Sequence, residues 1–219
     1  MGLMNIGVLG TGVVGRTLGQ RLVELGHTVV LGSRDPEHPA AKEWLATVGT
    51  ARGARIGTFA DAAAHGTILV NATSGEGSVP ALRLAGEANL QGKVLLDVSN
   101  PLDWSTGRLR LSVANDDSLA EQIQRAFPGL SVVKTLNTVN ADVMVHPDRL
   151  TEETTMFVAG NDPEAKATAA DILRSFGWRS ILDLGGVEAA RGMEMYVVLW
   201  VSVAQQQNDF AFNMRVVRS

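Results

Sequence analysis

Residues 5–15 read NIGVLGTGVVG, and the reading of this stretch decides the fold. Asn5–Gly10 is a short apolar run that ends in glycine. Gly10, Gly12 and Gly15 then follow the pattern G-x-G-x-x-G. In a chain with 23 glycines the pattern alone says little; its placement says more. It closes a strand candidate and opens a helix whose apolar residues Val14, Leu18, Leu22 and Leu25 share one face. Gly26 stops that helix and a second strand, HTVVLG (27–32), follows at once. In that setting Gly10 makes a tight turn, Gly12 lets a pyrophosphate approach the backbone, and Gly15 lets helix and strand pack closely. The first helical turn, at Val13 and Val14, offers free amides to phosphate, and Thr11 adds a hydroxyl donor.

The second strand leads into VLGSRDP (30–36). At this point an acidic residue commonly accepts hydrogen bonds from an adenine ribose, an arrangement that repels a 2′-phosphate. Here Gly32 is followed by Ser33 and Arg34. A small residue makes room, a hydroxyl donates, and a guanidinium pairs with phosphate in a fork geometry. The expected cofactor is therefore NADP(H). Asp35 as a ribose acid is the rival reading, but it precedes Pro36 and falls late for the usual register.

Hydrophobic periodicity extends the pattern. Helices are expected at 40–48, 60–65, 80–88 and 118–127, after Asp162–Pro163, and from Glu188 to about Ala204. Strands are expected at 67–73, 93–100, 131–137, 154–160 and 179–185, with a further one at 210–217; the run QQQ (205–207) breaks the pattern before it. Strands alternating with helices imply an α/β, Rossmann-type, doubly wound and mainly parallel sheet with a small C-terminal helical extension. The expected division is 1–183 as an NADP-binding domain and 184–219 as a helix and tail completing an acceptor cleft.

Composition narrows the function. With 219 residues, 45% apolar and 19% charged, the chain suits one substantial core. A net charge of −4 offers no basic stripe for nucleic acid. The absence of cysteine removes disulfides and thiolate metal sites, fits a cytoplasmic setting, and no two histidines have metal spacing. The start lacks a basic targeting region, and Ile6 stands where a myristoylation signal wants Ser or Thr. YVVLWVSVA (196–204) falls well short of the roughly 20 residues that span a bilayer. A small-molecule partner is expected, with no nucleic acid and no membrane. Aromatic residues at 200–212 would point to a homodimer if exposed.

IGVLGTGVVGRTL, LGHTVVLGSRDP, VVKTLNTVNA, FVAGND and LGGVEAARGMEM together resemble the F420-dependent NADP oxidoreductase family, in particular its short actinobacterial-type members. The resemblance runs from about residue 4 to the C-terminus and implies hydride transfer between nicotinamide C4 and C5 of the deazaflavin F420 as co-substrate. It implies that Thr11, Ser33 and Arg34 hold the NADP phosphates. It also implies that Ala72, Thr73 and Ser74, Asn100 and Pro101, and Leu136, Asn137 and Thr138 flank the stacked rings. Archaeal members carry a lysine just beyond the Ser-Arg pair, where this chain has Pro36, Glu37 and His38, and a histidine in place of Asn137.

Ligands of open α/β sheets bind beyond the carboxyl ends of the strands. Those ends, NATSGEG, VSNPLD and TLNTVN, are rich in Asn, Ser and Thr, which hydrogen-bond but do little acid-base work. No general acid or base is assigned, and Asn137 is the candidate beside an acceptor ring. His146 is the histidine expected nearest this edge. Asp183, Glu188 and Glu194 read as structural, with Arg191 and Glu194 spaced to pair along their helix. Three functions stay open: hydride exchange with F420 or a flavin, NADPH-dependent reduction of a small carbonyl or imine, and non-catalytic NADPH sensing. The second needs a general acid such as a lysine on the last helix; the four lysines are Lys42, Lys93, Lys134 and Lys166, and none falls there.

Overall fold

The computed structural model describes residues 2–218; Met1 and Ser219, the outer ends of the two expected units, lie outside the described residues. The first half holds β1 (Asn5–Leu9), α1 (Val13–Glu24), β2 (Thr28–Ser33), α2 (Pro39–Val48), β3 (Ala54–Thr58), α3 (Phe59–His65), β4 (Ile68–Asn71), α4 (Gly75–Ala85) and α5 (Glu87–Leu90). The second half holds β5 (Val94–Asp97), a small hairpin of β6 (Leu102–Asp103) and β7 (Arg110–Leu111), α6 (Leu119–Ala126), β8 (Ser131–Thr135), α7 (Ala141–Val145), β9 (Thr155–Ala159), α8 (Pro163–Phe176), β10 (Ser180–Asp183) and α9 (Ala190–Gln207).

The main sheet has the order β10-β9-β8-β5-β4-β1-β2-β3. From β3 to β8 all neighbours are parallel; β9 turns antiparallel to β8, and β10 follows β9 in parallel. The chain reverses direction of travel across the sheet between β1 and β4, the switch point beyond which ligands of such sheets bind. Side-chain alternation splits the core in two. Val8, Val70, Leu96 and Val133 face α1, α2, α7 and α8, whereas Leu9, Leu69, Leu95 and Val132 face α3, α4, α6 and the start of α9.

Local chemistry explains the ends of several elements. Thr58 and Asp61 bond reciprocally to cap α3, and Asp162 accepts from Glu164 N and Ala165 N to start α8, with Pro163 at its first position. α9 begins near the edge opposite the switch point, where Val187 N donates to Asn161 Oδ1, and reaches the strand ends by Met193–Glu194. Its remaining residues, 195–207, run on for about 20 Å of helix, and just after its end Phe210 O accepts from Asn140. Among the described residues no helix is long and apolar enough to cross a membrane.

Four sequence expectations are corrected. β3, an edge strand that buries only Ala54 and Gly57 of its five residues, carries too little alternation to be read from ARIGT. α4 starts at Gly75 rather than Pro80, tolerating a proline that removes one backbone bond. α9 runs through all three glutamines, which are good helix formers, and ends at Asn208 with φ 51°. The tail after it is not a strand. Thr155 N donates to Met214 O and the Asn213 amide to Thr154 and Thr155, but no ladder follows. Within this segment Trp200 is buried, stacked on Phe212 at 5.2 Å and packed on Phe210 at 5.9 Å, while Phe210 itself stays about half exposed.

Candidate functional site

The glycine turn sits at the switch point. Gly10 has φ 117°, and a Cβ there would come within 2.5 Å of Ala72 O, so both conformation and the approach of β4 require glycine. A Cβ on Gly15 would collide with Gly10 O. Gly12 differs: its φ of −68° suits any residue, and a side chain would meet nothing of the protein within 4 Å. The space it leaves is external. No side chain caps α1, so the amides of Val13, Val14 and Gly15 lack intrahelical acceptors and carry the positive end of the helix dipole.

Gly10, Thr11, Gly12, Ser33, Arg34, Ala72, Thr73 and Ser74 line one cleft of ≈ 500 Å³. Ser33 ends β2 and is buried, with Oγ accepting from Asp35 N; Arg34 is exposed beside it and makes no ion pair among the described residues. Asp35 Oδ1 accepts from Glu37 N, which turns that carboxylate into its own loop. Phe59, Pro80, Ala81 and Leu84 complete the apolar wall and were missed in the sequence, because which face of α3 and α4 turns toward the cleft is set by how these helices pack.

Asn100, Pro101, Asn137 and Thr138 lie outside this cleft, past the ends of β5 and β8. There two amides clasp: Asn100 Nδ2 donates to Asn137 O, and Asn137 Nδ2 donates to Asn100 Oδ1 and to Met193 O on α9. With both neighbours acceptors, the Asn137 amide can point only one way. That leaves Asn137 Oδ1 buried with no partner, as is Thr138 Oγ1.

Beneath the amides runs a buried polar row. Asn71, Asp97 and Lys134 are directly paired across β4, β5 and β8, all on the face that α9 covers, and all are fully buried. Lys134 Nζ donates to Asp97 Oδ2 at 2.8 Å, to Ser99 O at 2.6 Å and to Glu194 Oε1 at 2.8 Å. Asp97 Oδ1 also accepts from Asn71 Nδ2 and Ser99, and Glu194 from the amides of Leu119 and Ala120 at the start of α6. Burial opposes the Lys134 charge, but the two carboxylates overcome it and hold its pKa above the usual lysine value. Burial pushes the Glu194 carboxyl up, against the pull of Lys134. Sequence reading missed this network, although a lysine inside the apolar strand VVKTL signals a buried partner.

Two expected placements fail. Arg191 does not pair with Glu194; it reaches Glu121 on α6 at 2.6 Å, leaving Glu194 to Lys134. His146 caps α7 in a separate groove with Arg21, Asp148 and Arg174 and does not reach the glycine cleft.

A glycine cradle at the switch point, a Ser-Arg pair at the end of β2 and amide-rich strand ends define a Rossmann-type dinucleotide-binding oxidoreductase. The family described as "NADP oxidoreductase coenzyme F420-dependent" matches residues 5–101. The crystal structure of a candidate F420-dependent NADP reductase of Arthrobacter sp. FB24 shares 45% identity, with 98% of this chain and 100% of that one covered and a TM-score of 0.93. The F420-dependent NADP reductase of Methanocaldococcus jannaschii is 27% identical over 208 residues, 91% of this chain and 92% of that protein. The metalloreductase STEAP3 of Rattus norvegicus is 33% identical over 191 residues, 86% of this chain; the match spans 35% of that longer protein. The chain belongs to the coenzyme F420-dependent NADP oxidoreductase family, whose members are NADP-dependent oxidoreductases.

Proposed function

We propose that the chain moves a hydride directly between NADP(H) and coenzyme F420. Thr11, the amides opening α1, Ser33 and Arg34 hold the phosphates, the last two selecting the 2′-phosphate. Ala72–Ser74, Asn100–Pro101 and Asn137–Thr138 frame the nicotinamide, and residues 184–219 complete the acceptor cleft. Bound NADPH supplies the hydride from C4 of its nicotinamide, and C5 of the deazaflavin takes it.

One observation carries this reading over a carbonyl or imine reductase. Reduction of a carbonyl needs a proton donor at the nascent oxygen. Lys134 is the lysine at the ligand edge, and all three of its ammonium hydrogens are committed inside the protein. Transfer between flat rings needs alignment and exclusion of water instead, which rigid amides and a covering helix provide.

The test is NADPH carrying deuterium stereospecifically at C4, mixed with F420, FMN or a small carbonyl. Bleaching of F420 with label delivered to it and none lost to water is the expected outcome. Turnover of a carbonyl while F420 neither binds nor bleaches would overturn the reading.

A further inference from the structure

We infer that Lys134 is a positioning residue: by tying Asp97 and Ser99, at the end of β5, to Glu194 on α9, it sets where α9 stands over the strand ends. That position governs the spacing between a nucleotide on the sheet and an acceptor beneath the helix. The inference rests on the hydride-transfer reading above.

The bonding pattern supports it. α9 makes two charged contacts with the body of the protein among the described residues, and they differ in kind. Arg191 joins Glu121 on α6, partly exposed, whereas Glu194 reaches the sheet itself through a fully buried lysine. Apolar side chains would dock a helix at lower desolvation cost, so a buried triad is poor value for stability alone. A saturated set of directional bonds does what apolar packing does not: it fixes register. The link to the site is one residue long. Met193, next to Glu194, offers the carbonyl that orients the Asn137 amide, so a shift of α9 along its axis would release that amide.

The decisive variant is the double substitution Lys134→Met with Glu194→Leu. It removes the Lys134 and Glu194 charges together, leaves the Asp97 carboxylate bonded to Asn71 and Ser99, and frees the Leu119 and Ala120 amides that Glu194 accepts from. NADPH affinity, read by fluorescence titration, should fall far less than transfer does, because Asp97, Asn71 and Thr73 stay bonded to one another beside the phosphate cradle. Single-turnover transfer to F420 should slow by roughly 10- to 100-fold, as misplacement on the ångström scale does. Amide exchange along α9 should quicken while β1 and β2 stay protected. Transfer at the wild-type rate, unchanged exchange in α9, or a parallel loss of NADPH affinity would each overturn the proposal. Should the double variant not fold, Glu194→Gln keeps the side-chain volume and must give the same split between affinity and transfer. A wild-type protein that ignores F420 refutes the acceptor assignment alone, and exchange in α9 with NADPH affinity then decides the positioning claim.

Discussion

Gly12 has no internal reason to be glycine. Its backbone is ordinary and the space beside it is empty, so Gly12→Val should fold normally and lose dinucleotide binding. Circular dichroism unchanged, with no NADPH heat in calorimetry, is the expected pair of results; intact affinity would remove the glycine from the phosphate site. Arg34 is testable in the opposite sense. A charge-assisted bond to a 2′-phosphate contributes roughly 1.5–3 kcal/mol. Arg34→Ala should therefore weaken NADPH roughly 10- to 150-fold and leave NADH nearly untouched. Equal losses for both cofactors would make Arg34 a support for the fold. Neither residue is engaged within the protein, which is why both were readable from local sequence.

At the scale of elements, α6 and α9 are joined by charge. Ser118 caps α6 through Glu121 N, and its hydroxyl donates to Glu121 Oε2, while Arg191 of α9 holds both carboxylate oxygens. Arg191 beside it, above all, and the Ser118 hydroxyl keep the Glu121 carboxyl below its ordinary value of 4.5. A folded-state pKa below the unfolded one stabilises the protein above that ordinary value. The contribution fades as pH falls through the lowered folded value. Glu121→Gln should thus lower the urea midpoint at neutral pH, and the two proteins should converge in acid well below 4.5. A gap that persists at low pH would mean the substitution acts through packing instead.

For the whole molecule, the cleft spans the ends of β1, β2 and β4, so a ligand bound there braces the centre of the sheet. NADPH at a hundred times its Kd should stabilise the fold by about 2.7 kcal/mol. For a chain of this size that corresponds to roughly 5–10 °C in melting temperature. NADH at the same concentration should do far less. Equal protection by both would show that Ser33 and Arg34 do not read the 2′-phosphate.

What the sequence determined by itself was local and periodic: the strand–glycine–helix start, the Ser-Arg pair at the end of β2, the alternation that makes a parallel sheet, and the cap of α8. Such features depend on residues a few positions apart, so spacing reveals them. Only the tertiary structure decided the rest. Edge strand β3 is held by pairing with β2, a non-local bond set. Lys134 finds Glu194 sixty residues downstream, while Arg191, spaced to pair with that same glutamate, turns to Glu121. A charge inside a strand announces that it needs a partner, because burial without one is too costly. Which partner it takes depends on which helix folds over it, and that is a property of the assembled core.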